Sequence, residues 1–326
     1  MNKTGGTFSK DGDRATQLSN VALLYYGEGL TQSEIAKRLQ VSRVTVVNLL
    51  RDAREEGIVE IHVGGQHLSE STLSRDMREA FGLEDVYISD AFTDGDTDRA
   101  ATLRQLGRVS ATAFLNIVEP GDKIGVAWGE TVLALSGALP RARVQGAEVS
   151  QLIGSMISDR VPASETCAIQ IANQISAQCF TLHAPGIVST PGLAKTLLTE
   201  PTIASQMDRL RDLDMAVYSI GNVSKDTHFV AAGMASAAEM SAAQKAGAVG
   251  VICCRYIDAQ GQECQLPPSD RIVSASLENL RAARKKLLVV CGTDRAGATR
   301  AAINGGLVTH LCADRSLANA LLQSAD

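Results

Sequence analysis

Arg43, Asn48 and Arg51 have the side-chain types and the spacing that contact base pairs in DNA. Arginine can donate two hydrogen bonds to guanine, asparagine can pair with adenine in a similar way, and valine can touch the methyl group of thymine. Val44 and Val47 lie among these polar residues. If all five residues share the outer face of one helix, that face predicts a surface that binds the DNA major groove.

The surrounding residues predict the two helices that would position this set. Thr31 and Glu34 have the spacing of a capping box at the start of a first helix, and Ser42 is suited to cap a second helix. Apolar residues recur in the second helix at a spacing that would turn them inward: Val46, Leu49, Leu50 and Ala53. Residues 31–54 therefore predict a helix-turn-helix, and residues 58–63 predict a wing strand beside it. An ordinary helical hairpin with a solvated basic face is the alternative.

We expect the helix-turn-helix to contact DNA through eight residues: Thr31, Gln32, Ser42, Arg43, Val44, Val47, Asn48 and Arg51. Between Thr31 and Arg51, four basic residues stand against one acid, which gives a local charge of +3. The whole chain carries −5, which argues against a protein coated in nucleic acid. Because salt limits electrostatic attraction to about 8–10 Å, a small basic surface is compatible with that total.

Composition predicts a soluble globular protein of two domains, since the chain has 326 residues, 45% hydrophobic and 21% charged. Seven scattered cysteines without C-x-x-C spacing fit a reducing cytosol. The adjacent Cys253 and Cys254 could be redox active or could be buried thiols in a strand. No apolar run approaches the ~20 residues that span a membrane. Residues 1–13 are polar, lack the apolar core of a signal peptide and predict a disordered tail. We expect a cytoplasmic protein with no membrane partner.

From residue 86 onward, short apolar segments alternate with helical patterns. The predicted strands are residues 86–89, 123–127, 148–153, 215–220, 249–254, 287–291 and 308–312. The predicted helices include residues 103–118, 168–179, 193–210, 277–283 and 317–323. This alternation is typical of an α/β domain of Rossmann-like form, a mostly parallel sheet with helices on both faces. An additional amphipathic pattern at residues 73–81 predicts a helix that links the domains or pairs with a second copy.

Four of the predicted strands run into glycine-containing turns, and ligands bind at such strand ends in parallel sheets. Gly129 would begin a helix whose free amides suit a phosphate, and Thr131 adds a hydroxyl donor. Similar turns contain Gly154 with Ser155, Gly221, and Gly292 with Arg295, whose cation could pair with an anion. A glycine after a strand is most often only a tight turn, but four in one domain predict a cleft for an anionic ligand.

These motifs resemble the SorC family of bacterial sugar-binding transcriptional regulators, often grouped with DeoR-type regulators. The resemblance spans the chain from about residue 18 to residue 322. It is carried by Leu30-Thr31-Gln32-Ser33-Glu34-Ile35-Ala36, by Gly125-Val126-Ala127-Trp128-Gly129-Glu130-Thr131, and by Gly292-Thr293-Asp294-Arg295. It implies a winged helix-turn-helix joined to an effector domain like glucosamine-6-phosphate deaminase and ribose-5-phosphate isomerase. It also implies a sugar, sugar phosphate or polyol effector and a homodimer or homotetramer.

Carried over by position, the resemblance implies that Gly129 and Thr131 hold phosphate and that Asp258 lies near sugar hydroxyls. The chain departs from the family at Glu130, where a relative uses a lysine to form a Schiff base, because a carboxylate cannot form an imine. Val251 also replaces a common acid. The expected effector site comprises Gly129, Glu130, Thr131, Gly154, Ser155, Gly221, Asp258 and Arg295.

We expect a ligand-responsive regulator with a DNA-binding domain at residues 14–64 and an effector and oligomerisation domain at residues 65–326. Its partners would be double-stranded operator DNA and the effector, with no cofactor, metal or catalytic residue. The alternative is a sugar-phosphate isomerase or deaminase with an accessory DNA-binding domain, in which Glu130, Asp258 or His183 would be the base. A structural DNA-associated protein fits poorly with the acidic net charge.

Overall fold

The computed structural model describes residues 14–59, 69–90, 99–155, 164–224 and 227–323. The chain divides into two compact units, Met1–Val63 and Gly64–Asp326, one residue from the division that the sequence predicts. Each unit is described by itself. The predicted tail at residues 1–13 and residues 60–63 of the predicted wing lie outside the described residues.

The described part of the first unit contains three helices: α1 (Arg14–Ala22), which continues into a π-helical turn (Leu23–Gly27), α2 (Gln32–Leu39) and α3 (Arg43–Glu55). Their buried core contains Leu18, Val21, Ile35, Val46, Leu50 and Ala53. The predicted capping box is present, because the Thr31 hydroxyl accepts from the Glu34 amide while the Glu34 carboxylate accepts from the Thr31 amide. The predicted helix-turn-helix is confirmed.

The segment after α3 differs from the predicted wing where it is described. The amides of Ile58 and Val59 donate to the Ala53 carbonyl at 2.9 and 3.0 Å. These two residues therefore close the end of α3 instead of starting a strand.

The large sheet in the described part of the second unit contains the strands β1 (Asp85–Ser89), β2 (Lys123–Val126), β3 (Glu148–Gln151), β4 (Gln178–Phe180), β5 (Met215–Tyr218), β9 (Lys285–Val290) and β10 (His310–Asp314). These seven strands lie in the order β1-β10-β9-β5-β2-β3-β4, with every pair parallel. A small antiparallel sheet contains β6 (Gly221–Asn222), β7 (Gly250–Ile252) and β8 (Arg255–Ile257). The predicted mostly parallel α/β fold is confirmed.

Helices cover both faces of the large sheet. The described α-helices of this unit are α4 (Thr72–Phe81), α5 (Arg99–Ile117), α6 (Glu130–Ala138), α7 (Ser164–Ile175), α8 (Pro191–Thr199), α9 (Pro201–Arg209), α10 (His228–Ala231), α11 (Ala237–Lys245), α12 (Leu277–Ala282), α13 (Ala296–Asn304) and α14 (Arg315–Gln323). Side chains of α5, α6 and α7 fill one core, and those of α4, α13 and α14 belong to the other. The predicted linker helix is thus α4, and its Met77 is fully buried in the second unit.

Three predicted elements are corrected. Residues 249–254 are not one strand of the parallel sheet, because Cys253 and Cys254 form a two-residue turn between the antiparallel β7 and β8. The helix predicted at residues 168–179 ends at Ile175, and residues 178–180 form β4. The helix predicted at residues 193–210 is divided into α8 and α9, since Pro201 starts a new helix.

Candidate functional sites

The outer face of α3 exposes the five residues expected to contact bases. Val44 is 67% exposed and Val47 is 42% exposed, while Arg43, Asn48 and Arg51 are exposed beside them. The opposite face is buried against α1 and α2. Two exposed valines between exposed arginines form a mixed apolar and basic surface, which matches the chemistry of major-groove edges and phosphates.

The remaining three expected DNA contacts lie at the starts of α2 and α3. The Thr31 hydroxyl donates to Glu34 at 2.8 Å, and the Ser42 hydroxyl accepts from the Thr45 amide at 3.0 Å. Gln32 lies beside the recognition face, where its side-chain oxygen accepts from Arg43 at 3.4 Å. Thr31 and Ser42 therefore stabilise the helix starts that position the exposed face.

The second site is a cavity at the carboxyl ends of β2 and β5. After β2, the chain adds β3 and then β4 on one side of β2, and it returns to add β5 on the other side. The strand order therefore reverses between β2 and β5. Open α/β sheets bind their ligands at this crevice. The cavity is open to solvent, and the turns after both strands line it.

Five of the eight expected effector residues line this cavity: Gly129, Glu130, Thr131, Gly221 and Arg295. Gly129 precedes α6 with a φ of 144°, a conformation that favours glycine, and no side chain caps the helix start. The first amides of α6 thus lie at the cavity. The Thr131 hydroxyl, however, donates to the Val289 carbonyl at 2.7 Å, so its proton holds α6 against β9 and is not the expected ligand donor.

Charged groups meet at the mouth of the cavity. Arg99, the first residue of α5, donates to the Glu130 carboxylate at 2.6 Å. Burial lowers the pKa of Arg99, but the hydrogen bond and the charge of Glu130, with the nearby Cys291 and Asp294, together raise it by more, so the guanidinium stays protonated. Arg295 is largely buried and donates to the Cys291 carbonyl at 2.9 Å and to Asp294 at 3.2 Å.

Much of the remaining lining of the cavity is apolar. It is formed by Ala127, Trp128, Ile153, Ile220, Phe229, Val251, Cys253 and Cys254, and it also contains the polar residues Ser219 and Thr227. Cys253 and Cys254 both have positive φ, 48° and 67°, as a two-residue hairpin turn of the primed type requires. Burial raises the pKa of the Cys253 thiol to about 12 and also raises that of Cys254. Both groups are therefore thiols at neutral pH.

Gly154, Ser155 and Asp258 do not line the cavity. A Cβ on Gly154 would lie 2.4 Å from the Ala184 carbonyl oxygen, so this glycine allows close packing of two backbone segments. The Ser155 amide bonds to the same carbonyl. Asp258 accepts from the amides of Gln260 and Gln262 at 2.9 and 2.8 Å, which makes it the organiser of the turn after β8.

The structure does not bring the candidate catalytic bases together. Of Glu130, Asp258 and His183, only Glu130 lines the cavity. His183 is exposed, and its ring lies 3.2 Å from the Thr181 hydroxyl. Within the described ranges no group of three His, Cys, Asp or Glu side chains is arranged to hold a metal ion.

Arg99 is a cavity residue that the sequence did not identify. An arginine at a helix start is common, and Arg99 belongs to none of the glycine turns that predicted the site. Its role follows from the packing of α5 against α6, which places the first residue of each helix side by side.

Comparison with protein-family models gives two matches. Residues 66–323 match the model described as "Putative sugar-binding domain". Residues 19–56 match the model of sigma-70 region 4 and cover the helix-turn-helix. None of the helices in the described part of the chain combines the length and apolar character needed to cross a bilayer.

Several curated relatives span nearly the whole chain. An uncharacterised transcriptional regulator of Escherichia coli strain K12 is 34% identical over 301 residues, covering 92% of each chain. The deoxyribonucleoside regulator of Bacillus subtilis strain 168 is 28% identical and covers 95% of this chain and 99% of its own. The full-length sorbitol operon regulator of Klebsiella pneumoniae has the same fold, with a TM-score of 0.75 at 24% identity, over 96% of this chain and 100% of its own.

Proposed function

Since this chain belongs to the SorC family of sugar-binding, DeoR-type transcriptional regulators, we propose that it binds operator DNA and responds to a sugar-class effector. The observation that carries the proposal is the presence, in one chain, of an exposed basic and apolar recognition face on α3 and a cavity at the strand-order reversal. An enzyme is disfavoured because the candidate bases lie apart.

For the DNA side, we propose that Arg43, Val44, Val47, Asn48 and Arg51 contact the major groove. Arg51 lies 3.2 Å from Asp52 and 3.7 Å from Glu55, but such exposed ion pairs contribute only about 0–1 kcal/mol. Arg51 can therefore exchange these partners for a phosphate at small cost. We assign Thr31, Gln32 and Ser42 to contacts with the phosphate backbone of DNA. These residues lie at the starts of α2 and α3, where polar side chains and helix amides can donate to phosphate oxygens.

For the effector side, the proposed contacts are Arg99, Gly129, Glu130, Gly221 and Arg295. The guanidinium and carboxylate groups can bond to hydroxyl groups of a sugar, and the aromatic ring of Trp128 can cover a sugar face. Binding would shift operator affinity only if the ligand prefers one arrangement of the assembly over another.

We further propose a homo-oligomer, a dimer or a tetramer. Helix-turn-helix proteins commonly bind two half-sites about one helical turn apart as symmetric dimers. Large apolar side chains are exposed outside α3, with Leu23 61% and Leu193 42% exposed. Light scattering coupled to gel filtration tests the assembly, and a monomer at micromolar concentration would contradict it.

Operator binding in turn implies a cytoplasmic protein in a bacterium.

The test of DNA binding is fluorescence anisotropy at 100 mM salt, with duplex DNA from upstream of the gene and a scrambled duplex. The native duplex should bind more tightly. Arg43→Ala combined with Asn48→Ala should remove most of that difference. Lys245→Ala is the matched control, since it removes an exposed cation from α11 in the second unit. Equal binding of both duplexes by the unaltered protein would refute sequence-specific recognition.

A further inference from the structure

The charged side chains at the cavity already neutralise one another. Among the described residues, the lining contains three charged side chains, Arg99, Glu130 and Arg295. Glu130 is bonded to Arg99 at 2.6 Å, and Asp294 lies 3.2 Å from Arg295. Asn222 donates to the other carboxylate oxygen of Asp294 at 2.7 Å, which holds this acid beside its arginine. Each cation therefore has a carboxylate partner.

This pairing sets the charge that a ligand meets. The two guanidinium groups, Glu130 and the neighbouring Asp294 sum to zero, which leaves the start of α6, equivalent to roughly +0.5 of a charge, as the remaining positive charge among these groups. A phosphate monoester brings about −1.5 to −2 at pH 7. It would have to displace Glu130 or Asp294 from an arginine, or remain close to both carboxylates. The described charges thus offer little net attraction to repay the desolvation of a dianion, whereas an uncharged ligand carries no such cost.

The same groups suit hydroxyl groups. A sugar hydroxyl both donates and accepts, whereas a guanidinium only donates and a carboxylate only accepts. The cavity presents both kinds of group, and their ion pairs hold them in place. A guanidinium and its carboxylate can therefore bond to neighbouring hydroxyl groups while they remain paired with each other. The apolar part of the lining, with Trp128 and Phe229, covers carbon-bound hydrogen atoms. The Thr131 hydroxyl donates its proton to the Val289 carbonyl and therefore does not donate it to a phosphate.

We propose that the effector is an uncharged polyhydroxyl compound, a sugar or polyol without phosphate, and that Glu130 is the residue that disfavours phosphorylated forms. The inference rests on the proposed function only in taking this cavity as the effector site. It narrows the ligand class and assigns Glu130 a role in specificity.

The test compares unphosphorylated and phosphorylated partners on the full-length protein by thermal shift and calorimetry. The pairs are ribose with ribose 5-phosphate, fructose with fructose 6-phosphate and sorbitol with sorbitol 6-phosphate, and inorganic phosphate is a separate probe. For any pair that binds, the phosphorylated member should bind at least about tenfold more weakly. Glu130→Gln removes one negative charge and should raise affinity for phosphate probes at least about tenfold.

Two further variants make the result specific. Glu200→Gln removes an exposed carboxylate that makes no side-chain hydrogen bond at the start of α9, and it should leave phosphate affinity unchanged. Asp294→Asn removes the carboxylate paired with the cavity residue Arg295 and should act in the same direction as Glu130→Gln. It therefore decides the matter if Glu130→Gln does not fold.

The outcomes separate this inference from the proposed function. Sugar phosphates that bind the unaltered protein as tightly as the free sugars would overturn the charge inference and leave the regulator intact. Unchanged phosphate affinity in both Glu130→Gln and Asp294→Asn would also overturn it. By contrast, ligands that bind as expected but never alter operator affinity would overturn the effector role and leave the charge inference standing.

Discussion

Gly107 lies in the middle of α5, where that helix packs against the backbone of α6 at Ala134. A Cβ at this position would lie 2.4 Å from the Ala134 carbonyl oxygen and 2.7 Å from its carbonyl carbon. Ordinary contacts of this kind begin at 3.4 Å, so Gly107→Ala forces the two helices apart by about 1 Å. The contact atoms are backbone atoms, and no side-chain rotation can relieve the contact.

The expected cost combines two opposing effects. Overpacking a close contact of this kind costs about 1–3 kcal/mol, whereas replacing a helical glycine with alanine stabilises by about 0.5–1 kcal/mol. The difference spans about 0–2.5 kcal/mol, and we expect Gly107→Ala to lower the free energy of unfolding by about 1 kcal/mol. Gly137→Ala on α6 is the matched control, because its Cβ meets nothing within 4 Å. That variant should gain only the stabilisation that comes from replacing a helical glycine with alanine.

Thermal melts of both variants test the prediction, since each kcal/mol shifts the Tm of a domain by about 2–4 °C. Gly137→Ala should melt above the unaltered protein and Gly107→Ala below it. Because α5 and α6 begin with Arg99 and Glu130, spreading the helices should also weaken effector binding. A Gly107→Ala protein that melts as high as Gly137→Ala would refute the close packing and the positioning of the ion pair that depends on it.

Three further predictions concern the two sites and the thiols. Arg43→Ala should weaken operator binding by about 1–3 kcal/mol and relax base preference at one position, as measured by anisotropy against single-base variants of the operator. Arg295→Ala should abolish the thermal shift produced by the effector; a retained shift would remove this residue from the site. Because burial raises the pKa of Cys253 to about 12 and also that of Cys254, neither forms a thiolate near pH 7.5. Iodoacetamide should label both only after unfolding, as followed by mass spectrometry, and rapid labelling of the folded protein would favour the redox-active alternative.

The helix-turn-helix could be predicted because its signals are local. The capping box at Thr31 and Glu34 and the cap at Ser42 operate within three residues, and helical spacing alone separates buried Val46 from exposed Val47. Packing against the rest of the chain alters neither the caps nor the helical spacing. The parallel sheet was predictable for a related reason, since strands buried on both faces are continuous apolar segments.

The corrected elements lack such a local signal or carry one that a stronger pattern masks. Residues 249–254 are as apolar as a central strand, and cysteines at two positive-φ positions replace the usual asparagine and glycine of a hairpin turn. Pro201 did mark the start of α9, but the helical pattern continues across it. At the cavity, Gly154 resembles Gly129 in sequence, yet only Gly129 precedes a helix whose first amides lie at the ligand space. Which glycine turn meets the ligand depends on strand order, which local sequence does not encode.

Strand order also determines how an effector could act within the second unit. Arg99 and Glu130 begin two helices of one core, while Arg295 directly precedes α13, which packs in the core on the other face. A ligand bonded to all three residues would therefore fix the distance between the starts of α5 and α6 on one face of the sheet and the start of α13 on the other face. Only a ligand that contacts one arrangement of these helices better than another can shift the equilibrium between arrangements. Recognition and response would then depend on the same ion pair, so variants at Arg99 or Glu130 should change the size of the effector response as well as the affinity.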